Sequence, residues 1–430
     1  MTMQSSGALT LNEVNLELRN ESLSAVSLGD ARVRSLANKS SGAISFSDFY
    51  NRNFDIKGQS NYTDGGLYTF TVPEKITSIS AVCVGGGGSG FGSGDGGVGG
   101  GGGALAWDAA ISTTPNEDLT VISGKGGVAG SYGSNSGTSG DASWIIRGDY
   151  FTVSQIALSS NVATITTSAE HGFSEGDEVV IDISDEGQGN TNAYSRRQFS
   201  GLYTITSVPT TTTFTYDLTY NNLSTTSVTT GYVAHKDNVL LFAIGGFRGG
   251  LRNNSYQDQS GDQGFYIASI GGDGGGSGGR ALYASNSDIN NAGSGAGGAG
   301  GYSGNGGTGS VDGSRSGEDG TGGAGGGGGL VGSYQGGYGG GVGILGAGAS
   351  GTGGVYGGQG AVYIDAPSIG NGTAGSNGSG QLYGGGGRGQ DNSTGGSGGS
   401  GAVRIIWGEN RLYSASTQTL SDVTIGEYFE

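Results

Sequence analysis

Gly295-Ala296-Gly297-Gly298-Ala299-Gly300-Gly301-Tyr302-Ser303-Gly304-Asn305-Gly306-Gly307 decides the reading of this chain, because Gly295, Gly298, Gly301, Gly304 and Gly307 fall at every third position. Three residues per turn is the period of the left-handed extended helix, which has no internal hydrogen bonds and points every N–H and C=O sideways. Such a helix needs neighbours, and where neighbours pack closely only glycine fits the shared face. Working outward, the same period recurs in Gly337/Gly340/Gly343/Gly346, in Gly348/Gly351/Gly354/Gly357/Gly360 and in the shorter runs Gly322/Gly325/Gly328, Gly372/Gly375/Gly378 and Gly395/Gly398/Gly401. It appears earlier in Gly96/Gly99/Gly102 and Gly124/Gly127/Gly130/Gly133. The phase slips every few triplets and the chain has only 4 prolines, so collagen is excluded. Each run reads as a rod of roughly 30–40 Å at about 3.1 Å per residue, ended by a turn that reverses the chain, and several rods stack into a bundle.

The competing reading is a flexible linker, the usual state of glycine-rich sequence. Fixing a glycine costs about 0.5–1 kcal/mol more than fixing alanine, so lateral backbone hydrogen bonds, at about 0.5–1.5 kcal/mol net each, must supply most of the order. Tyr302, Leu330, Val331, Tyr338, Ile344, Leu345, Val355 and Tyr356 punctuate the runs. A linker has no use for them.

With 19 basic against 36 acidic residues and a net charge of -17, the chain lacks the basic face that nucleic-acid binding requires. Two histidines, His171 and His235, and the lone Cys83 supply neither a Ser-His-Asp arrangement nor a Cys/His metal site. Cys83 sits in the apolar run Ile79 to Val84 and reads as a small buried side chain. Gly124-Lys125-Gly126-Gly127 lacks the hydroxyl and spacing of a phosphate loop. Gly94-Asp95-Gly96-Gly97 and Gly272-Asp273-Gly274-Gly275 are similar to calcium-binding nonapeptides but are not tandem, so the expectation is no metal, no cofactor and no catalytic site. The adjacent acids Glu318-Asp319 and Asp185-Glu186 read as solvated turns. No signal-peptide pattern and no membrane-length apolar stretch is expected to route or insert the chain.

Residues 1–50 hold a weak repeat, Ser6 to Val14, Ser24 to Ala31 and Ser41 to Phe49, each alternating apolar and polar for four residues and then offering an Asn, Asp or Ser able to cap a short helix. Three such strand-turn-helix units cannot bury a core alone and read as a docking module. From 60 to 144 and again from 236 to 408 the glycine-rich pattern holds, bounded by the strands Leu67 to Pro73, Ile76 to Val84 and Gly401 to Trp407. The opening and closing strands are expected to pair into a small sheet at the base. Between 145 and 235 threonine replaces glycine, in Val162 to Thr166, Glu178 to Ile183, Gly201 to Thr206 and Thr213 to Tyr216, with turns at His171-Gly172 and Glu175-Gly176-Asp177. That stretch reads as a small β-barrel inserted into the glycine-rich domain. Residues 409–430 remain as a C-terminal tail. The fold class expected is therefore mainly β and irregular: polyglycine-II-like rods on a small β-sheet, with the inserted barrel and the N-terminal module.

Three stretches carry a resemblance. The ending Ser41-Gly42-Ala43-Ile44-Ser45-Phe46-Ser47-Asp48-Phe49-Tyr50 resembles modules at the start of tail-associated structural proteins of marine, cyanophage-like tailed bacteriophages. Tyr68-Thr69-Phe70-Thr71-Val72-Pro73 with Val82-Cys83-Val84-Gly85-Gly86-Gly87-Gly88, closed by Gly401 to Gly408, resembles the bounding signature of a phage glycine-rich domain. Glu170-His171-Gly172-Phe173-Ser174-Glu175-Gly176-Asp177 is similar to the turn of a small β-barrel repeated in phage structural proteins. A looser similarity connects the triplet runs to the adhesins at the long-tail-fibre tips of T-even-like phages, where stacked polyglycine-II rods present loops to the host; the barrel and the N-terminal module depart from that pattern. The resemblance implies a virion protein of the tail, made in the host cytoplasm and joined to other tail or fibre proteins through residues 1–50. A homo-oligomer remains open.

If the rods are rigid, residues that interrupt the triplets gather at the bundle ends. Tyr334, Gln335 and Tyr338; Tyr363 and Asp365; Gln381 and Tyr383; and Arg388, Asp391 and Asn392 are the candidate receptor-binding residues, since tyrosine flanked by adaptable polar groups gives wide contact at low entropy cost. The expected function is a non-enzymatic adhesin that contacts a host surface glycan or outer-membrane protein. A building block of the tail without receptor contact is the alternative, and a capsular polysaccharide depolymerase the enzymatic one.

Overall fold

Ser78–Val84 and Ala402–Trp407 do pair, antiparallel, with Val84 opposite Ala402 and Ile406 opposite Ser80. The computed structural model describes residues 6–18, 27–39, 41–50, 57–93, 98–129, 137–183, 196, 198–220, 222–249, 272–281, 294–310, 316–331, 335–354, 383–391, 394–408 and 411–416. They are mainly β, and the chain divides into two compact units, one of Met1–Gly58 with Gly408–Asn410 and Thr424–Glu430, the other of Gln59–Trp407 with Arg411–Val423.

Among the described residues of the first unit the alternating stretches form no strands. Instead Leu11–Glu17 and Ala31–Leu36 are α-helices and Phe46–Phe49 is a 3-10 turn. Three or four alternating residues have no ladder partner here, and their apolar members serve as staples across the helix starts. Leu9 and Ile44 pack on a small core of Val14, Leu18, Val33, Leu36, Ala37 and Phe49. The Tyr50 hydroxyl donates to the Gly7 carbonyl and ties the last repeat to the first.

Two sheets underlie the glycine-rich part of the second unit. One runs in the order Gly58–Tyr62, Ala402–Trp407, Ser78–Val84, Leu105–Ser112, Gly274–Gly276; the other in the order Val239–Ala243, Ser143–Arg147, Asp118–Ser123, Gly66–Thr71. The rings of Phe70 and Trp407, 5.5 Å apart, join them. Cys83 is fully buried between Val403 and Ala106, and burial pushes its thiol far above the ordinary value, so it is an inert packing residue.

Above these strands the glycine segments bond mainly through their backbones. Along 85–91 the donors rotate through three neighbours: Gly85, Gly88 and Phe91 give N–H to Ala104, Gly101 and Val98; Gly86 and Ser89 to Asp141 and Thr138; Gly87 and Gly90 to Gly399 and Gly396. The same segment accepts from three more, through Gly246 and Gly249, Gly127, and Gly387. Segment 294–301 repeats the pattern, donating to 304–310, 336–342 and 98–104, and accepting from Gly279, from Gly325 and Gly328, and from Gly386 and Gly389. Each is thus surrounded by six others. A Cβ on Gly297 would overlap the carbonyl oxygen of Gly279, and one on Gly90 that of Arg388, which is why glycine is required there.

The segments are shorter than the triplet runs suggest. Gly295 to Gly307 is two antiparallel pieces, since Gly301 N–H bonds Gly304 C=O and the chain reverses at Tyr302-Ser303. Tyr302 causes the reversal: it is fully buried in an apolar cluster with Val82, Val84, Leu105, Trp107, Val342, Ile344 and Tyr413. Its hydroxyl donates to Gly343 C=O at 3.1 Å and accepts from Gly346 N–H at 3.2 Å. Seven to eight residues make a piece of roughly 20–25 Å at about 3.1 Å per residue.

The threonine-rich stretch forms an eight-stranded antiparallel sheet, ordered Gly201–Thr204, Glu178–Ile183, Gly231–His235, Tyr150–Ser159, Val162–Thr167, Thr213–Asp217, Ser207–Thr210, with Leu223–Ser227 also on Tyr150–Ser159. It leaves from Ser143–Arg147 and returns to Val239–Ala243, which pair with each other, Trp144 edge-on to Phe242 at 4.6 Å. Its apolar face holds Ile156, Ile165, Phe173, Ile181, Phe199, Phe214 and Tyr216.

His171 lies at the margin of that core. Its Nδ1 accepts from Phe173 N–H at 2.9 Å, its ring stacks on Phe173 at 4.8 Å and meets the edge of Phe214 at 5.4 Å. Burial pushes the imidazole below its ordinary value, the Thr213 backbone opposing. The unfolded chain therefore holds this proton more tightly, and stability falls as pH drops through about 6.5. Thermal unfolding near pH 7.5 and near pH 5.5 checks this: the difference between the two midpoints shrinks in His171→Phe.

Candidate functional site

Register fixes the two ends of the glycine-rich segments. At one end, the base, they continue into Ser78–Val84, Leu105–Ser112, Asp118–Ser123, Ser143–Arg147, Val239–Ala243, Gly274–Gly276 and Ala402–Trp407. The other end has no such continuation. There the connections 91–98, 129–137, 281–294, 310–316, 331–335 and 391–394 begin and end, as the pairs Phe91 with Val98, Val128 with Thr138, Gly295 with Ser310 and Gly396 with Arg388 establish. A short ladder of Leu330–Val331, Gln335–Gly336, Gln390–Asp391 and Gly92–Ser93 crosses this distal end. It aligns Gln335 with Gln390, and Gln390 and Asp391 with Gly92 and Ser93.

Of the candidate residues, Gln335 and Asp391 are therefore distal neighbours in one ladder. Tyr338, partly exposed, is one turn below it, and Arg388, also partly exposed, lies two residues before Gln390. Burial lowers the Arg388 guanidinium from its ordinary value. Tyr383 has to be corrected. It is 6% exposed, exchanges backbone hydrogen bonds with Val342 and belongs to the Tyr302 cluster at the base, so its ring is core and faces no receptor. Tyr334, Tyr363, Asp365, Gln381 and Asn392 lie outside the described residues.

Two arginines that the triplet argument overlooked, Arg248 and Arg280, also reach this end, beside Arg388. Gly100, Gly101 and Gly102 donate to Gly387, Phe247 and Gly279, and the residues that follow those acceptors are Arg388, Arg248 and Arg280. Three arginines thus stand within one turn of the same level around segment 98–104. Arg280 is exposed, whereas Arg248 is buried and donates to the Gly137 carbonyl at 3.3 Å. A cue was present in the sequence: each arginine directly follows or directly precedes glycine beside a short run. Val128, 67% exposed, is the large apolar side chain left exposed at this end among the described residues.

Among the described residues no group of three His, Cys, Asp or Glu is placed to hold a metal ion, and no helix is long and apolar enough to cross a membrane. Asp108 is a perturbed carboxyl: burial raises it and Asp273 adds to the effect. Both acids accept strand N–H groups at the base, Asp108 from Ala110 at 2.7 Å and Asp273 from Ala109 at 3.0 Å. Of the adjacent acids, Glu318 and Asp319 are exposed, Asp319 accepting from Gly353 N–H, and Asp185-Glu186 lies outside the described residues. No family model and no curated protein matches the chain.

Proposed function

We propose that this is a tail or tail-fibre protein of a bacteriophage virion, an adhesin whose glycine-rich domain is a bundle of polyglycine-II rods holding host-contacting connections at its distal end. The observation that carries the reading is the rotation of backbone donors through three neighbours in both 85–91 and 294–301, with three further segments donating back. Threefold sideways bonding is what a helix of three residues per turn offers its surroundings. On this reading residues 145–235 are an inserted small barrel and the first unit docks on the virion. The gathering of six connections at the end away from the sheets favours display over a purely structural role, because a building block gains nothing from segregating them.

Binding of labelled full-length protein to host cells tests it. The double variant Tyr338→Ala with Arg388→Ala is expected to lower binding at least about tenfold, a loss of roughly 1.4 kcal/mol. Leu67→Ser, at a site 51% exposed on a base strand, leaves binding unchanged. If the wild type does not bind cells, or the distal double variant binds as well as the wild type, the purely structural reading replaces this one.

A further inference from the structure

After the closing strand the chain re-enters the second unit at Arg411, and segment 411–416 lies against the unit without joining a strand. Arg411 and Tyr413 are buried, and Leu412 between them is 48% exposed. Side chains hold this segment. The Tyr413 ring stacks on Tyr302 at 5.9 Å and joins the same apolar cluster as Val82, Trp107 and Ile344. Its N–H donates to the Ser80 hydroxyl at 3.0 Å, and that hydroxyl donates in turn to the Asp108 carbonyl at 2.7 Å. The Tyr413 hydroxyl donates to the Ile344 carbonyl at 2.6 Å. Burial pushes this phenol up to about 12 although Arg404 and Arg411 both act against it, so it stays a donor. The two arginines meet at one atom. Gln59 Oε1 accepts from Arg404 Nη2 at 2.6 Å and from Arg411 Nη2 at 3.0 Å, while Arg404 Nη1 donates to the Ile344 carbonyl at 3.2 Å.

We propose that residues 411–416 are a strap that opens from the Tyr302 cluster independently of the glycine segments, with Gln59 as its latch. The glycine segments are held by backbone bonds to several neighbours at once, and those bonds must break together. The leading residue of the strap is held differently, by an amide oxygen that it shares with a second guanidinium. Two positive charges drawn to one neutral acceptor repel each other, and a neutral acceptor binds each of them less strongly than a carboxylate would. Arg404 is fully buried within Ala402–Trp407, whereas Arg411 is 9% exposed. Arg411 is therefore the member that leaves. A segment fixed by a few side chains at the edge of a unit belongs to the part that opens locally, below the free energy of global unfolding. The position of the latch gives the opening its use. Gln59 is the first residue of the second unit, and Arg411 is the first after the chain re-enters it. A pull on the connection into either residue reaches the latch before it reaches any glycine segment, and release withdraws the Tyr413 ring from Tyr302.

Limited trypsin digestion of the full-length protein, with fragments identified by mass spectrometry, tests the inference, because trypsin cannot take the Arg411 side chain while Gln59 holds it. Where opening is fast, the initial cleavage rate reports the population of the open form. Wild type is expected to be cut after Arg411 at least about tenfold faster than after Arg404, which only the opening of the sheet exposes. Gln59→Glu supplies a carboxylate to both guanidinium groups and is expected to slow cleavage after Arg411 at least about tenfold. Gln59→Leu removes the acceptor and is expected to raise the rate after Arg411 at least about tenfold more than the rate after Arg404. A Gln59→Leu protein that fails to fold leaves the decision to Gln59→Glu. Equal initial rates at the two sites in wild type would show that the strap has no opening of its own, and an unchanged Arg411 rate in Gln59→Glu would remove Gln59 as the latch; either result overturns the proposal. The outcome is independent of what the distal end binds.

Discussion

Replacing Gly297 by alanine abolishes the folded second unit or destabilises it by about 4 kcal/mol or more, a size reached only when a named structural feature is broken. The added methyl meets the Gly279 carbonyl, which is backbone and cannot swing away. Relief requires moving segment 276–281, whose own bonds to 98–104 and 304–310 then stretch. The neighbouring residues show that the effect belongs to particular faces. Ala296 and Ala299, three apart in the same segment, hold their methyls in fully buried positions. Gly295, Gly298 and Gly301 on one side and Gly297 and Gly300 on the other would each drive a Cβ into backbone. One face in three accepts alanine and two do not. Gly66→Ala is the control: its Cβ would meet the end of the Tyr68 side chain at 3.3 Å, which can shift, and the expected change is within about 1 kcal/mol. Chemical denaturation followed by tyrosine and tryptophan fluorescence measures both; a Gly297→Ala protein as stable as the control removes the close-packed account.

Tyr302 carries the second large effect. Tyr302→Phe keeps the ring but leaves the Gly343 carbonyl and the Gly346 N–H without the hydroxyl they share, at a cost of about 1–3 kcal/mol for buried polar groups. Tyr302→Ala also empties a fully buried site against Tyr413, whose ring stacks at 5.9 Å, raising the loss to about 3–5 kcal/mol. Unfolding midpoints in denaturant should rank wild type, Phe, then Ala. Equal values for Phe and wild type would show that the hydroxyl is not part of what holds the reversal.

The three-residue period was legible because steric exclusion writes itself into the sequence at each crowded position. The ends of the segments were not, and Tyr302 shows why. The turn from Gly301 to Gly304 consumes three residues, so the glycine phase passes through the reversal unbroken, and a count of triplets runs two antiparallel pieces together. Tyr383 was misplaced for a related reason. An aromatic residue at the edge of a run marks an end, but nothing local says which end. The neighbouring Gly384, at a φ of +78°, makes a turn that either end could use. Only register against Val342 and Gly103 puts it at the base. The strands Ser78–Val84 and Ala402–Trp407 were readable as apolar runs, whereas Leu105–Ser112, which pairs with Ser78–Val84 on its other side, follows, after Ala104 alone, on the glycine run ending at Gly103 and carries Asp108 and the small Ala109-Ala110 in its middle. In the first unit four alternating residues suggested strands, and the capping carboxylates Glu13, Asp30 and Asp48 were the stronger signal.

The partners of segment 85–91 come from as far away as residue 399. In a nascent chain, segment 85–91 lacks its full set of neighbours until nearly the last of the lattice has been translated. Ripening is therefore late and slow, and the finished object is correspondingly hard to open from any one place.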